Sequence, residues 1–310
     1  MKYTIAIDMG GTVVKLGLLG DGELLESLRL DAQRTQGFVS NLSRLKEAVN
    51  ELLIARDISL QQLSGIGLAF PGLVDPNSCR VISTNEKYDD ASSFDMRAWV
   101  RENWDVPFYM DNDARLAVVG EWSRGAAVGK DNVVMMTIGT GIGTGVILDG
   151  KVLYGRHFQA GSLGGHFVID YKGRGCSCGN RGCVEAMASS FFLPAIIRQH
   201  PEVSDAFKEA ADRIDFKALF SLADEGEANA LLLRNECLDV WSAAVVSYIH
   251  AYDPEVVVLG GGVMKRADLI IPYVKEKVDS LAWCPSENVP IVAAQLADHA
   301  ALYGLLYGLR

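Results

Sequence analysis

The chain has 310 residues, more than the roughly 100 to 200 of a usual domain, so we expect two domains with a large buried core. Its 49% hydrophobic and 22% charged residues are typical of a globular protein and exclude disordered, collagenous and disulfide-stapled classes. The net charge of −10 predicts no broad surface for nucleic acid or anionic lipid, so any phosphate must be held locally, by backbone N–H groups and metal.

The N-terminal residues predict no signal peptide. An acid, Asp8, follows only a few apolar residues, so the apolar core of a signal peptide is missing. No apolar stretch reaches the roughly 18 residues that a membrane span requires. We therefore expect a cytoplasmic protein without membrane contact.

The first 30 residues predict a meander of three strands separated by glycine turns, at residues 3–8, 13–19 and 23–30. The same pattern returns from residue 133. One constant offset places Gly11-Thr12 on Gly139-Thr140, Gly17 on Gly145, and Asp21-Gly22 on Asp149-Gly150. Chance alignment among 31 glycines is the competing interpretation, and the single offset favours a duplicated domain core.

Further helices and strands alternate along the rest of the chain. Apolar periodicity predicts helices at residues 39–56, 94–103, 114–124, 184–199, 216–223, 228–252, 267–282 and 297–309. Strands are predicted at residues 66–70, 108–111, 133–138, 146–148 and 256–259. Strands mixed with long helices in two related halves indicate an α/β protein with a cleft between two lobes.

Asp8-Met9-Gly10-Gly11-Thr12 lies where the first strand turns back, and glycine there lets a phosphate approach the backbone. A strand follows instead of a helix, which excludes a dinucleotide-binding loop, and residues 125–131 fail the spacing of a Walker A loop. Two such Gly-Thr bends favour a polyphosphate gripped from both sides. Asp8 is suited to holding Mg²⁺, mostly through water, although a turn-capping aspartate is the alternative.

Asp111-Asn112-Asp113 lies where a predicted strand meets a predicted helix. Any of the three side chains could simply cap the helix. In a cleft that transfers a phosphoryl group, an acceptor hydroxyl needs a carboxylate to orient it and accept its proton. Asp113 is our candidate base, with Asn112 as a substrate contact.

Three of the six cysteines are crowded together. Cys176, Cys178 and Cys183, with His166 ten residues upstream, supply three thiolates and an imidazole for a tetrahedral Zn²⁺. A set of buried, metal-free thiols is the alternative. Four protein ligands indicate a structural metal, because a catalytic zinc keeps an open position.

Taken together, the motifs of the chain resemble the ROK family of bacterial sugar kinases and repressors. These motifs are Asp8-x-Gly-Gly-Thr12, Gly67-x-x-x-Pro71-Gly72-x-Val74-Asp75, Asn112-Asp113-Ala114, Gly139-Thr140-Gly141-Ile142-Gly143, Cys176-x-Cys178-Gly179-x-x-Gly182-Cys183-x-Glu185 and Gly260-Gly261-Gly262-Val263. They run in the family's order over nearly the whole chain. The resemblance implies a two-lobed actin-like ATPase fold of duplicated, ribonuclease H-like domains.

The resemblance also implies an activity, transfer of the γ-phosphate of ATP to a hexose, usually at its 6-hydroxyl, and a homodimer. Implied phosphate contacts are Gly10, Gly11, Thr12, Gly139, Thr140 and Gly141, and implied adenosine neighbours are Gly261 and Gly262. The implied sugar pocket comprises Gly72, Asn85, Asn112, His166 and Glu185. We expect one lobe at residues 1–112 with the helix 297–310, and the other, with the zinc loop, at residues 113–296.

Three positions depart from the family pattern. Asp111 stands where the family usually has Glu, and Arg115 where Asn is common. The sugar-binding Glu of the family's A-G-E-x-G-H segment is absent, so that either Ser162 or Leu163 takes its place. We therefore expect a preferred sugar other than glucose.

Two other functions compete with a kinase. A DNA-binding repressor is disfavoured because the phosphate hairpin begins at Tyr3 and the charge is acidic. A catalytically weak sugar-binding or regulatory protein is compatible with the lost Glu, whereas Asp113 and the two intact phosphate loops oppose it.

Overall fold

The computed structural model describes residues 2–84 and 88–309, a mixed arrangement of strands and helices. The strands are β1 Tyr3–Met9, β2 Val13–Gly20, β3 Glu23–Asp31, β4 Leu63–Phe70, β5 Leu73–Asp75, β6 Arg80–Ser83, β7 Phe108–Asn112, β8 Val133–Ile138, β9 Ile142–Leu148, β10 Lys151–Val152, β11 Val256–Gly260 and β12 Ile291–Ala293. The α-helices are α1 Leu42–Ala55, α2 Met96–Trp104, α3 Asp113–Arg124, α4 Val184–Ala188, α5 Leu193–Gln199, α6 Asp205–Glu209, α7 Phe216–Asp224, α8 Ala228–Tyr252, α9 Ala267–Leu281 and α10 Ala300–Gly308.

The chain forms two compact units. Unit 1 comprises Met1–Gly129, Val152–Gly161 and Asp298–Arg310, and unit 2 comprises Lys130–Lys151 and Ser162–Ala297. The sheet of unit 1 has the order β3-β2-β1-β4-β7, and the other sheet has the order β10-β9-β8-β11-β12. In both sheets the first hairpin is antiparallel, β1 with β2 and β8 with β9, and the next strand is parallel, β4 or β11. This repeated topology confirms the predicted duplication.

The hairpin turns repeat as well. Asp21 and Gly22 both have positive φ, at 49° and 91°, and Asp149 and Gly150 do so at 50° and 68°. Two consecutive residues of positive φ form the turn that best matches the twist of paired strands. The Asp-Gly pairs found by the sequence offset therefore have the same structural task.

The sheet of unit 1 is covered by apolar side chains on both faces. One face packs under α1 and α2, with Ile5, Ile7 and Leu68 at its centre. The other face packs against α3 and α10, through Leu116 and Leu305 among others. The strand ends that bear Asp8 and Asp111 are thus held on a sheet that is packed on both faces.

Helices α3 and α10 approach each other at their backbones. A Cβ on Gly120 would lie 2.0 Å from the carbonyl oxygen of Ala300, and one on Gly304 would lie 2.0 Å from that of Leu116. Only glycine permits so close an approach. The close pairing explains why α3 belongs to unit 1, so that the unit runs to Gly129 and beyond the expected boundary at residue 112.

A single helix was expected over residues 184–199, and the structure breaks it into α4 and α5. At the break, the N–H groups of Ser190 and Phe191 donate to the carbonyl oxygens of Gly139 and Thr140, at 3.1 and 2.9 Å. Pro194 lies in the first turn of α5, where a backbone N–H would have no partner within the helix. The interrupted helix thereby supports the loop between β8 and β9.

Within residues 2–84 and 88–309, no helix combines sufficient length with sufficient apolar character to cross a bilayer.

Candidate functional site

The loop between β1 and β2 in unit 1 holds Gly10, Gly11 and Thr12. The N–H of Gly10 donates to the carbonyl oxygen of Val13 at 3.1 Å, which closes a tight turn. The hydroxyl of the buried Tyr88 donates to the carbonyl oxygen of Gly10 at 3.1 Å and so anchors the base of the loop. Thr12 is exposed. The loop is thus rigid at its base and open to a ligand at its tip.

Asp8 precedes this loop and faces Lys15 across the β1–β2 pair. The Lys15 Nζ lies 3.6 Å from the Asp8 carboxylate and 3.6 Å from the carboxylate of Asp298. Burial raises the pKa of Asp8 to about 6; Lys15 opposes this shift and the nearby Asp113 carboxylate adds to it. Two carboxylates, Asp8 and Asp113, therefore lie close enough to repel each other, a geometry that favours a bound cation.

Asn112, and not Asp113, caps helix α3. The Asn112 Oδ1 accepts the N–H of Arg115 at 2.9 Å, and its Nδ2 donates to Asp113 Oδ1 at 3.0 Å. Asp113 Oδ1 also accepts the N–H of Ala114 at 2.8 Å. The cap alternative is thus correct for Asn112, while the Asp113 carboxylate is oriented at the first turn of the helix.

Gly72 completes the candidate substrate residues of unit 1. Its carbonyl oxygen accepts the Asn112 Nδ2 at 3.0 Å, and a Cβ on Gly72 would lie 2.3 Å from the carbonyl oxygen of Ser83. The loop therefore packs too tightly for a side chain at this position. Asn85, the other expected sugar contact nearby, lies outside the described residues.

Asp111 and Arg115, the two departures from the family pattern, form a buried ion pair. Their side chains are 1% exposed, and Arg115 Nη1 lies 2.6 Å from Asp111 Oδ1. Sequence reasoning missed this pair, although opposite charges four residues apart at a helix start are a recognisable signal. It also missed Lys15, whose signal was its place on β2, directly opposite Asp8.

In unit 2, Gly139, Thr140 and Gly141 form the loop between β8 and β9, at the topological position of residues 10–12 in unit 1. The N–H of Gly139 donates to the carbonyl oxygen of Gly141 at 3.0 Å. The Glu185 carboxylate accepts the N–H of Ile142 at 2.8 Å and braces the end of the loop. Glu185, an expected sugar contact, therefore also has a structural partner.

Gly261 and Gly262 follow strand β11 of unit 2 and are both exposed. Gly261 has a φ of 93°, and a Cβ there would lie 2.4 Å from the carbonyl oxygen of Ile138. The end of β11 thus packs directly against the end of β8, next to the Gly139 loop. The expected adenosine residues and phosphate residues of unit 2 therefore lie at one edge of its sheet.

The segment that lacks the family's Glu folds against β9. The Gly164 N–H donates to the Thr144 hydroxyl at 2.8 Å. A Cβ on Gly165 would lie 1.9 Å from the carbonyl oxygen of Ile142, so only glycine permits this approach. The packing of this segment against β9 therefore requires its glycines.

We expect Gly165→Ala to lower thermal stability. Overpacking costs about 1–3 kcal/mol, which corresponds to a decrease in Tm of roughly 2–12 °C for a chain of this size. Gly175→Ala is the matched control, because no atom lies within 4 Å of a Cβ built there. Thermal unfolding of both variants checks the expectation, and equal Tm values would contradict it.

The four predicted metal ligands come together in unit 2. The ligand atoms of His166, Cys176, Cys178 and Cys183 all lie within 4.8 Å of one another. Cys176 Sγ lies 3.6 Å from His166 Nδ1, and Cys178 Sγ lies 3.8 Å from Cys183 Sγ. Zinc bonds of about 2.3 Å to sulfur and about 2.0–2.1 Å to nitrogen give tetrahedral edges of about 3.8 and 3.6 Å. The cluster therefore has the donors and spacing of a zinc site.

The chain is similar to known proteins along nearly its whole length. A glucokinase from Thermotoga maritima is 29% identical over 307 residues, which cover 97% of this chain and 95% of the relative. A xylose repressor from Bacillus subtilis is 26% identical over 98% of this chain and 76% of its own length. The crystal structure of a ROK family glucokinase from Streptomyces griseus, in complex with glucose and AMPPNP, superposes with a TM-score of 0.80 at 24% identity, over 98% of this chain and 97% of that one.

The fold and the family follow from these observations. The two units, with the same strand order, have the duplicated actin-like ATPase fold that the motifs predicted. A sequence model described as the ROK family matches residues 4–308, nearly the whole chain. The chain therefore belongs to the ROK family.

Proposed function

We propose that the chain is an ATP-dependent sugar kinase that transfers the γ-phosphate to a hexose hydroxyl, the 6-hydroxyl by the family resemblance. The observation that carries this proposal is the pair of carboxylates in unit 1. Asp8 and Asp113 lie close enough for their charges to interact, beside a glycine loop with an open tip. Phosphoryl transfer needs a cation, a phosphate cradle and an oriented acceptor, and unit 1 offers residues for each.

Asp113 acts as the general base in this proposal. Its Oδ1 is held by Asn112 Nδ2 and the Ala114 N–H, so the carboxylate is oriented before a substrate binds. Such a carboxylate can accept the proton of a sugar hydroxyl as that oxygen attacks phosphorus. Asn112 and Gly72, which are hydrogen-bonded to each other, contact the sugar.

Asp8 is the residue that would hold Mg²⁺, a hard cation that prefers carboxylate and water oxygens. When bound, Mg²⁺ neutralises charge on the phosphates of ATP. Lys15 places a second positive charge 3.6 Å from Asp8. Gly10, Gly11 and Thr12 contact the phosphates through the loop that Asp8 precedes.

Unit 2 carries the other residues that the family resemblance implies for nucleotide and sugar. Its phosphate contacts are Gly139, Thr140 and Gly141, its adenosine neighbours are Gly261 and Gly262, and its sugar contacts are His166 and Glu185. A Zn²⁺ ion held by His166 and the three cysteines would fix the imidazole ring, so that its other nitrogen can read a sugar hydroxyl. A homodimer stays a prediction from the family, which sedimentation of the purified chain tests.

A regulatory sugar-binding protein is the second candidate function, because a repressor is among the relatives. The two candidates differ in one measurement. A kinase consumes ATP in step with sugar phosphate formation, whereas a regulator binds sugar and consumes none. ATP consumption with a panel of hexoses, amino sugars and N-acetyl sugars decides between them, and binding without turnover for every sugar would overturn the kinase proposal.

We expect a preferred substrate other than glucose. Each charge-assisted bond from the missing Glu contributes roughly 1.5–3 kcal/mol, and neither Ser162 nor Leu163 replaces all of it. A glucose site that lacks this carboxylate should lose about tenfold to a hundredfold in kcat/KM, which a sugar with a different group at that position avoids. Comparing kcat/KM for glucose, mannose, allose, fructose, glucosamine, N-acetylmannosamine and a β-glucoside tests this. Glucose as the best substrate would show that another residue has replaced the Glu.

A further inference from the structure

The buried Asp111–Arg115 ion pair is the centre of a larger, partly buried network in unit 1. Asp111 Oδ2 accepts the Tyr154 hydroxyl at 3.0 Å and the Tyr109 hydroxyl at 3.3 Å. Arg115 Nη2 donates to the carbonyl oxygen of Phe158 at 2.9 Å, and the Arg115 guanidinium lies 4.7 Å from the centre of the Tyr154 ring. A buried ion pair with hydrogen bonds on both partners is rigid, because breaking it would leave a charge buried and unpaired.

This network holds a segment that is distant in sequence. Residues 152–161 belong to unit 1, although the chain on both sides of them belongs to unit 2. Their attachment to the ion pair includes two contacts, the Tyr154 hydroxyl on Asp111 and the Phe158 carbonyl on Arg115. Both contacts end on the element pair, β7 and α3, that presents the candidate base.

Asp111 and Arg115 also fix the conformation of Asn112, one of the candidate substrate contacts. Asp111 Oδ1 accepts the N–H of Asn112 at 2.7 Å, and the N–H of Arg115 donates to the Asn112 side chain at 2.9 Å. Asn112 in turn donates to Asp113 at 3.0 Å. A continuous series of hydrogen bonds therefore runs from Tyr154 through Asp111 and Asn112 to Asp113.

We propose that Tyr154 is a positioning residue for the sugar site: through Asp111 and Arg115 it anchors residues 152–161 and fixes the orientation of Asn112 and Asp113. The proposal deepens the proposed kinase function and rests on it. Because coupling between two sites is reciprocal, a sugar that orders Asn112 and Asp113 also stabilises the attachment of residues 152–161. The pair of residues that departs from the family pattern thereby acquires a joint role in substrate binding.

The hydroxyls of Tyr154 and Tyr109 both donate to Asp111 Oδ2, so replacing each tyrosine in turn gives a matched pair of variants. Tyr154→Phe removes the hydroxyl that reaches Asp111 from residues 152–161 and keeps the ring over Arg115. Tyr109→Phe removes a hydroxyl from the same Asp111 oxygen, but Tyr109 lies on β7 itself. We expect kcat/KM for the best sugar to fall about tenfold in Tyr154→Phe, which corresponds to about 1.4 kcal/mol, and less than twofold in Tyr109→Phe. The KM for ATP should stay within twofold in both.

Hydrogen exchange gives the second readout and does not depend on turnover. Without sugar, amides of residues 152–161 should exchange faster in Tyr154→Phe than in the wild type or in Tyr109→Phe, and saturating sugar should slow their exchange in the wild type. Equal kinetic effects of the two variants, or unchanged exchange of residues 152–161, would overturn the proposal. A wild-type chain that phosphorylates no sugar would instead overturn the kinase function, while the exchange comparison without sugar still decides the anchoring.

Discussion

The Asp113→Asn variant should lose most of its turnover and keep its sugar affinity. An amide has nearly the shape of the carboxylate, and its oxygen can still accept the Ala114 N–H, but it cannot take the proton of the attacking hydroxyl. General-base catalysis typically contributes about 10²- to 10⁴-fold, so kcat should fall by at least ~10²-fold. Steady-state kinetics with the best sugar of the panel, together with calorimetric sugar binding, checks both parts.

A control variant separates this effect from a general change at a helix start. Asp95 caps α2 by accepting the Ala98 N–H at 3.0 Å, and Asp95→Asn makes the same chemical exchange on an exposed surface. It should leave kcat within twofold. An Asp113→Asn variant that retains more than roughly a tenth of the wild-type kcat would exclude Asp113 as the base.

The second large effect concerns the metal ligands. We expect about one tightly bound Zn²⁺ per chain and its loss in Cys178→Ser. Structural zinc supplies about 10–16 kcal/mol of apparent binding free energy in small domains, so losing one of four ligands should cost at least about 3 kcal/mol. Such a loss lowers Tm by roughly 6–12 °C. Elemental analysis and thermal unfolding of the purified protein measure the two quantities.

Cys284→Ser serves as the control, since Cys284 is half-buried and lies outside the metal-ligand cluster. It should retain the metal and the Tm of the wild type. If metal-free wild-type protein had the same Tm as metal-loaded protein and full activity, the four side chains would form an ordinary thiol cluster. Removal of the metal by a chelator should reproduce the destabilisation of Cys178→Ser, because the same bonds are lost.

Short-range signals in the sequence were sufficient for the first three strands of unit 1, whereas in unit 2 the strand predicted at residues 146–148 begins at Ile142 in the structure. The strands predicted at residues 3–8, 13–19 and 23–30 end within one residue of the observed β1, β2 and β3. Alternating apolar residues and Asp-Gly turns encode this part locally. The break between α4 and α5 was missed, because it depends on backbone hydrogen bonds to Gly139 and Thr140, which are far away in sequence. The β5–β6 hairpin was missed as well, although its two strands pair within residues 73–83.

In the candidate site, too, local features could be predicted from the sequence and long-range contacts could not. Gly10 and Asp113 could be singled out from local motifs, since a glycine bend and a carboxylate at a helix start are visible in a few residues. Sequence reasoning could not choose which of Asp111, Asn112 and Asp113 caps the helix, because that depends on side-chain rotamers. The attachment of Tyr154 to Asp111 joins residues 43 positions apart and has no local signal.

The packing of α10 on α3 determines which unit is completed last during synthesis. Unit 1 requires α10, whose Gly304 lies against the backbone of Leu116, yet α10 is translated after all of unit 2. Domains commonly fold during synthesis as soon as their residues have left the ribosome. As the chain emerges, unit 2 therefore has all its residues at Ala297, while unit 1, which bears Asp8 and Asp113, stays incomplete until residues 300–308 have followed. A nascent chain stalled before residue 300 should consequently be inactive even if its zinc cluster has already formed.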